Sequence, residues 1–344
     1  MGSVDDRSGV RSTTHTRVVV SEDSAVGEAR RTAHQLAAEL GADQLGITRA
    51  ELVATELSTN LLRHADPDGW MLLRPVAPRW VEILAVDRGP GIRDPEAALS
   101  GRAPAPKGLG CGLASVRRAS GLVDLHTRAG SGTVVLSLVD VLQADAAPLA
   151  RRAAAGVSVG LFEANGDGWS TIEADDGRLA VAVVDGVGHG VAASVATDVV
   201  LDVFGAAPTE LASFAARAND AARGTRGAVV NLCVLDPAAD RISSLALGNV
   251  NGRIFAGNAE KGIATFSGSV GLSAQAPRAR VQHHDWPPGA TLVLWTDGLR
   301  SRLEADGYRG LFEHDAAVVA AVLHRDHTRG TDDATVVVVH RSSS

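Results

Sequence analysis

Four aspartates, far apart in this sequence, share one local setting: the end of an apolar strand or a glycine turn. Val183-Val184-Asp185-Gly186-Val187-Gly188-His189-Gly190 is an apolar strand that stops on a carboxylate and then turns through glycines. Asp167 follows Asn165-Gly166, Asp297 ends Leu292-Val293-Leu294-Trp295-Thr296, and Asp332 precedes Asp333 and an apolar strand at 334–339. A strand end holds a carboxylate stiffly, and neighbouring glycines let a ligand approach the backbone. Any one of these aspartates alone is as readily an ordinary Asp-Gly turn. Together, with no His or Cys beside them at zinc-ligand spacing, they point to an all-oxygen site for a hard divalent cation, magnesium or manganese.

The first half carries a second constellation. Residues 48–65 have the helical spacing, with Ala50, Val53, Ala54, Leu57 and Leu61 as the apolar stripe. Glu56 and Asn60, four apart, project from one face. Such a pair is usually only a solvated face, but two glycine-rich segments follow it. A strand at 81–86 ends in Asp87-Arg88-Gly89-Pro90-Gly91-Ile92, and Lys107-Gly108-Leu109-Gly110-Cys111-Gly112-Leu113 opens another helix. A glycine run leading into a helix N-terminus presents backbone N–H groups and a positive dipole to phosphate.

Asn-Gly-Asp-Gly-Trp, Asp-Gly-Val-Gly-His-Gly, Leu247-Gly248-Asn249, Thr296-Asp297-Gly298 and Thr331-Asp332-Asp333-Ala334-Thr335 resemble, in order, the motifs of the SpoIIE-like branch of the PPM-type serine/threonine phosphatases. That resemblance implies that Asp167, Asp185, Asp297 and Asp332 ligate two Mn²⁺ or Mg²⁺ ions, with the Gly186 carbonyl as a further ligand. It implies hydrolysis of phosphoserine or phosphothreonine by metal-activated water, for which Asp185 is the central catalytic ligand. His189 is equally a proton-transfer group or part of the turn. Asp333 either tunes the neighbouring ligand or begins the strand.

Glu-x-x-x-Asn, Asp-x-Gly-x-Gly, Gly-Leu-Gly-x-Gly and Gly130-Ser131-Gly132-Thr133 resemble the GHKL ATP-binding fold, in particular the anti-sigma and switch-protein serine kinases of bacteria. By that resemblance Asn60 holds Mg²⁺ against the phosphates of ATP, Asp87 bonds the adenine amino group within its Gly89/Gly91 turn, and Thr133 sits near the adenine. Gly108, Gly110 and Gly112 wrap the phosphates, with Lys107 as an added phosphate contact, and Glu56 is the base for the substrate serine. The two resemblances imply a bacterial signalling switch that acts on STAS-domain phosphoproteins, with a sigma factor as a further partner. The alternative is a front domain that sequesters a partner or senses nucleotide without transferring phosphate.

The elements that must position these residues sort into two domains. The expected division is a disordered 1–16, an ATP-binding domain at 17–140, an alanine-rich linker or partly helical bridge at 141–155, and a phosphatase domain at 156–341. The fold class is α/β (α+β). A GHKL sandwich, with helices on one face of a mixed sheet, precedes a PPM-type β-sandwich flanked by helices. Strands are expected at 157–162, 179–185, 229–235, 242–247, 292–296 and 334–339, with helices near 192–204, 209–222 and 314–324.

The 344 residues suit two cores. A net charge of −7 argues against nucleic acid. No run approaches the ~18 apolar residues of a membrane span. A polar start that does not read as a secretory signal, and two cysteines without a disulfide pattern, fit the cytoplasm. His283-His284 read as a surface strand, and His324, Asp326 and His327 as a polar stretch after a helix.

Overall fold

The computed structural model describes residues 9–11, 14–65, 69–102, 112–142, 149–162, 164–303, 308 and 310–342. The chain forms two compact units, residues 15–152 with 306–325, and residues 1–14 with 153–305 and 326–344. Gly9–Arg11 forms β1 of the latter unit, in the stretch expected to be disordered.

The ATP-binding sequence motifs fall in the unit that begins at His15. Its elements are β2 (Thr16–Val20), α1 (Asp23–Glu39), α2 (Gln44–His64), β3 (Gly69–Val76), β4 (Trp80–Val86), α3 (Pro95–Ser100), α4 (Gly112–Ala119), β5 (Leu122–Arg128) and β6 (Gly132–Asp140). The strands form one sheet, ordered β2-β3-β4-β6-β5. Every pairing is antiparallel rather than mixed. Between β2 and β3 two helices intervene, so the chain re-enters the sheet from the end at which it left. Helix α2 starts four residues before the apolar stripe suggested, because Asp43 caps it and accepts from the Gly46 N–H at 2.8 Å. The stripe Ala50, Val53, Ala54, Leu57 and Leu61 is buried with Met71, Leu73, Ile83 and Val135 of the sheet.

Alternation puts Arg74 and Glu82 on the other face of that sheet. The Arg74 Nε donates to Glu82 Oε1 at 2.6 Å, and His15 Nε2 lies 3.0 Å from the same oxygen. Arg152 pairs with both Glu82 and Asp315. Burial pushes Glu82 up, but Arg74, Arg152 and His15 outweigh it and hold the carboxyl well below its usual range. Arg152 lies in the stretch read as a linker. Its pairing with Glu82 and Asp315 makes that end of the stretch part of the packed unit.

The second unit comprises β7 (Ala154–Val159), β8 (Asp167–Glu173), β9 (Leu179–Gly186), α5 (Val191–Ala206), α6 (Leu211–Ala221), β10 (Ala228–Asp236), β11 (Arg241–Leu247), β12 (Asn251–Ala256), β13 (Ala259–Gly262), β14 (Gln282–Asp285), β15 (Thr291–Trp295) and, after helix α7 (Ala316–His327), β16 (Ala334–His340). Two antiparallel sheets result, ordered β1-β8-β9-β10-β11-β14 and β13-β12-β15-β16-β7. β1 pairs with the backbone of β8 and so becomes the edge of the first sheet. Val181 and Val183 of β9 point inward to meet Trp169, Leu292, Leu294 and Val337 between the sheets. Ala180, Ala182 and Val184 point the other way and bury Val200, Phe204 and Phe214 of α5 and α6. Strand β9 thus has two buried faces, which is why it reads as a continuous apolar run.

Residues 306–325 cluster with the unit that begins at His15 although they lie between the aspartate motifs of the other unit. Asp124 accepts from the Asp315 N–H at 2.6 Å, its other oxygen lies 3.0 Å from His314 Nδ1, and the Ala316 N–H donates to the Arg152 carbonyl at 3.2 Å. Helix α7 continues past the expected stop, so His324, Asp326 and His327 belong to its last turns.

His324 is buried, with neither ring nitrogen hydrogen-bonded among the described residues. Burial, then the charges of His15, Arg17 and Arg88, push it down to about 3 from an ordinary 6.5. Between these values the unfolded chain binds a proton that the folded chain refuses. Stability is therefore full above pH 6.5 and declines as the pH falls through the window. His324→Leu should remove a loss of about 2 kcal/mol between pH 6.5 and 5. Thermal melts from pH 7 to 5 test this. An unchanged pH profile in His324→Leu would count against it.

Candidate functional sites

Asp167 and Asp185 are cross-strand partners in the β8–β9 ladder, so both side chains leave the same face at the same level. That face is the inner one, because Trp169 and Val183, two residues from each, pack between the sheets. In the opposite sheet, β15 and β16 pair Trp295 with Val336, which brings Thr296-Asp297 beside Asp332-Asp333 at one end. Thr296 joins the sheets: its hydroxyl donates to Asp167 Oδ2 at 2.7 Å and accepts from the Thr335 N–H at 3.0 Å. Asn249 donates to Asp297 Oδ2 at 2.6 Å. Asp333 accepts from the Leu161 and Gly166 N–H groups at 2.7 and 2.6 Å, so it anchors two loops of the site.

Gly186 follows Asp185 where nothing larger fits. A Cβ there would lie 2.3 Å from the Ala193 carbonyl oxygen of α5. His189 rests its ring on Phe162, centroids 4.7 Å apart, a contact that favours a role in the turn.

Burial and the charges around it push Asp185 up to about 9, the charges coming from Asp167, Asp297, Asp332 and Asp333. Burial raises Asp167 to about 7 against the hydrogen bonds of Thr296 and Thr335. Asp297 is raised by burial and by Asp332. Among the described residues no three His, Cys, Asp or Glu side chains form a closed metal cage. The carboxylates act on one another through their charges, and like charges so placed repel. An oxygen-only donor set under mutual repulsion fits hard divalent cations, which would offset the charge.

In the unit that begins at His15, Asp87 follows β4, and its Oδ1 accepts from the Gly89 N–H at 2.7 Å and the Thr133 N–H at 3.1 Å. Burial raises this carboxyl, partly offset by those bonds and by the charges of Arg325 and His64. Gly132 has φ +89°, and a Cβ on it would lie 2.1 Å from the Asp87 carbonyl oxygen, so only glycine lets β6 close on this turn. Gly91 completes the turn, with the Ile92 N–H donating to Thr127 Oγ1 at 2.8 Å. Gly112, at the start of α4, faces Asn60: a Cβ there would lie 3.4 Å from both atoms of the amide head. Glu56, one turn before Asn60 and half-buried, makes no hydrogen bond or ion pair among the described residues. Lys107, Gly108 and Gly110 lie outside the described residues.

The structure thus groups Asp87, Gly89, Gly91 and Thr133, sets Gly112 against Asn60, and gathers the four aspartates at one end of the sandwich. Sequence reasoning missed Arg325, whose Nη1 donates to the Asp87 carbonyl oxygen at 3.1 Å, and it gave no role to Thr296 or Asn249. Thr296 and Asn249 sit inside motifs that could have flagged them. Arg325 has no such signal.

Fold and sites together define the class: an ATP-binding domain of the kinase-like type joined to a PPM-type serine/threonine phosphatase domain. Residues 19–138 match the histidine kinase-like ATPase domain family, and residues 175–342 match the stage II sporulation protein E (SpoIIE) family. The chain belongs to the first of these families and fuses that domain to one that matches the second. It is 31% identical over 113 residues to the serine/threonine-protein kinase RsbT of Bacillus subtilis (strain 168), a match covering 32% of this chain and 84% of that one. A structure from work on the bacterial stressosome as a modular system superposes with TM-score 0.50 and 20% identity, over 54% of this chain and 97% of the other. RsbX in complex with magnesium gives TM-score 0.47 and 20% identity, over 55% and 94%. The Mycobacterium tuberculosis phosphatase PstP/Ppp gives 0.43 and 17%, over 55% and 98%.

Proposed function

We propose that this chain is a bifunctional switch that phosphorylates a protein serine at its ATP site and removes phosphate from serine or threonine at its metal site. The observation that carries the reading is the meeting of Asp167 and Asp185 from one sheet with Asp297 and Asp332 from the other. Asp167, Asp185, Asp297, Asp332 and the Gly186 carbonyl would hold two Mn²⁺ or Mg²⁺ ions. When bound, these ions supply an activated water and neutralise the phosphoryl oxygens. The chain's own part is positional: Thr296 orients Asp167, Asn249 orients Asp297, and Asp333 ties the loops at Leu161 and Gly166. Leu161, Phe162, Val187, Val191 and Val195 are exposed apolar residues on the segments that carry or bond this site. A rim of that kind supports a protein substrate over a small phosphate ester.

At the ATP site, Asp87 with Thr133 would bond the adenine, and the Gly89/Gly91 turn would shape its pocket. Asn60 with Mg²⁺ would hold the phosphates against the backbone at Gly112, with Lys107, Gly108 and Gly110 completing the phosphate contacts. Glu56 would take the proton of the attacking serine hydroxyl as its oxygen bonds the γ-phosphorus and ADP departs. The uncommitted carboxylate of Glu56 supports transfer over mere binding. We assign ATP use to residues 17–140, reinforced by 306–325, and phosphate removal to the rest of 156–341. The substrates we propose are cytoplasmic STAS-domain regulators, with a sigma factor as a second partner of the front domain. Among the described residues no helix is long and apolar enough to cross a membrane.

The test is incubation with labelled ATP, Mg²⁺ and STAS-domain proteins from the same genome, followed by added Mn²⁺. Label should enter a serine and then leave it, and chelator should stop the release. Release that persists in metal-stripped protein would overturn the metal reading. ATP binding without label transfer would favour a nucleotide-sensing front domain.

A further inference from the structure

The unit that carries the four aspartates also seats an uncommitted arginine beside them. The pairing of β9 with β10 sets Ala228 opposite Gly186, and the Val187 N–H extends that ladder by donating to the Gly227 carbonyl at 2.9 Å. Arg226 therefore stands level with Gly188, three residues past Asp185. Its guanidinium fills the space that a side chain on Gly188 would take, because a Cβ there would lie 2.6 Å from Arg226 Nη1. Gly188 also has φ +89°, so a glycine is needed here twice over. The Gly188 carbonyl oxygen faces Gly166, on which a Cβ would lie 3.5 Å from it, and Gly166 precedes Asp167. The turn after Asp185 thus lies between Arg226 and the loop that carries Asp167.

The backbone under Arg226 is fixed. Gly227 has φ +73°, and a Cβ on it would lie 2.5 Å from the Val270 carbonyl oxygen. Its N–H donates to Thr225 Oγ1 at 3.0 Å, and that hydroxyl donates to the Ala222 carbonyl at 2.7 Å. The Arg226 side chain above this turn is exposed and makes no hydrogen bond or ion pair among the described residues. Arg178 and Arg253 of the same unit are, by contrast, paired with Asp176 and Glu260. An exposed arginine is ordinarily a solvated surface charge, but this one rests on the turn of a metal-site aspartate. Asp167, Asp297, Asp332 and Asp333 all act on Asp185. Five carboxylates outweigh two divalent cations, so metal loading alone leaves no surplus positive charge for a phosphate dianion. A guanidinium meets that need, because its planar fork donates two parallel N–H bonds to a pair of phosphoryl oxygens.

We propose that Arg226 is a substrate-binding residue of the metal site, and that its guanidinium receives the phosphoryl oxygens of a phosphoserine or phosphothreonine beside the Gly188 turn. This rests on the phosphatase reading given above and deepens it. Arg226 reads the phosphate that every substrate shares, whereas the exposed apolar residues around the site read the protein that carries it. Arg226 bonds the dianion before the reaction as well as during it, so its loss shows in KM more than in kcat.

The experiment uses the full chain in saturating Mn²⁺, with a phosphoserine peptide and p-nitrophenyl phosphate as substrates. Equilibrium binding of a peptide that carries a non-hydrolysable phosphonate in place of phosphoserine is measured alongside. In Arg226→Met, KM for both substrates and Kd for the phosphonate should rise about tenfold, the usual worth of a hydrogen bond to a charged group, with kcat within about threefold. Arg226→Lys keeps the charge but loses the fork, so it should fall between the two. Arg178→Met removes the same charge at the far end of the β8–β9 hairpin and should leave all three values unchanged. Parental KM and Kd in Arg226→Met overturn the assignment while leaving the phosphatase reading standing. A rise confined to the peptides also overturns it, because Arg226 would then contact the chain and not the phosphate. A parent protein that neither hydrolyses the phosphoserine peptide nor binds the phosphonate overturns the phosphatase reading itself, and the assignment with it.

Discussion

Asp185→Asn and Asp297→Asn are each expected to reduce phosphoserine hydrolysis by about a hundredfold or more while the protein stays folded. Loss of a hydrogen-bond partner to a metal ligand already costs about 10–100-fold, and loss of the ligand itself should cost at least as much. Folding should survive for an electrostatic reason. Asp185 stands among Asp167, Asp297, Asp332 and Asp333, and burial adds to the cost of its charge. Replacing it with a neutral isostere removes repulsion, so the metal-free protein should melt at the same temperature or higher. Steady-state hydrolysis of a phosphoserine peptide in Mn²⁺, paired with melts in chelator, measures both. Full turnover by Asp185→Asn would remove Asp185 from the metal site. A collapse of the melting temperature would show that the carboxylate is structural.

Glu56→Gln is expected to bind nucleotide within about twofold of the parent and to lose phosphoryl transfer by about 10²–10⁴-fold, the usual contribution of a general base. The half-buried Glu56 side chain makes no hydrogen bond or ion pair among the described residues, so the amide should be accommodated without rearrangement. Asn60→Ala should separate the two functions the other way. It removes the amide that faces Gly112, and with it the magnesium-dependent part of ATP affinity. Single-turnover transfer from labelled ATP to a STAS-domain protein, alongside equilibrium binding, distinguishes the two. Transfer at the parental rate in Glu56→Gln would assign the base elsewhere.

The local features of both sites were legible in the sequence. The 3–4 spacing of Ala50, Val53, Ala54, Leu57 and Leu61 dictates one buried face on α2, which aims Glu56 and Asn60 away from that core. The alternation and apolar runs of β9 and β15 set aspartates at strand ends, and the glycines after them mark where backbone must pass closely. Such patterns are short in range, and local sterics and burial enforce them wherever the segment lies.

Other features had no local signature. Nothing near Asp333 distinguishes it from Asp332. Only the return of the Leu161 and Gly166 amides to its carboxylate makes one a loop anchor and leaves the other facing the site. Arg152 looks like linker until Glu82 and Asp315 are found on either side of it. Arg325 and Asp87 are 238 positions apart, and no periodicity predicts a hydrogen bond across that distance. The composition of the sequence and its short-range spacing determined which chemistries the chain carries. Which carboxylates converge, and which domain owns residues 306–325, was decided by strand register and by the pairing of buried charges. These are set by the free energy of the whole fold, not by any one segment.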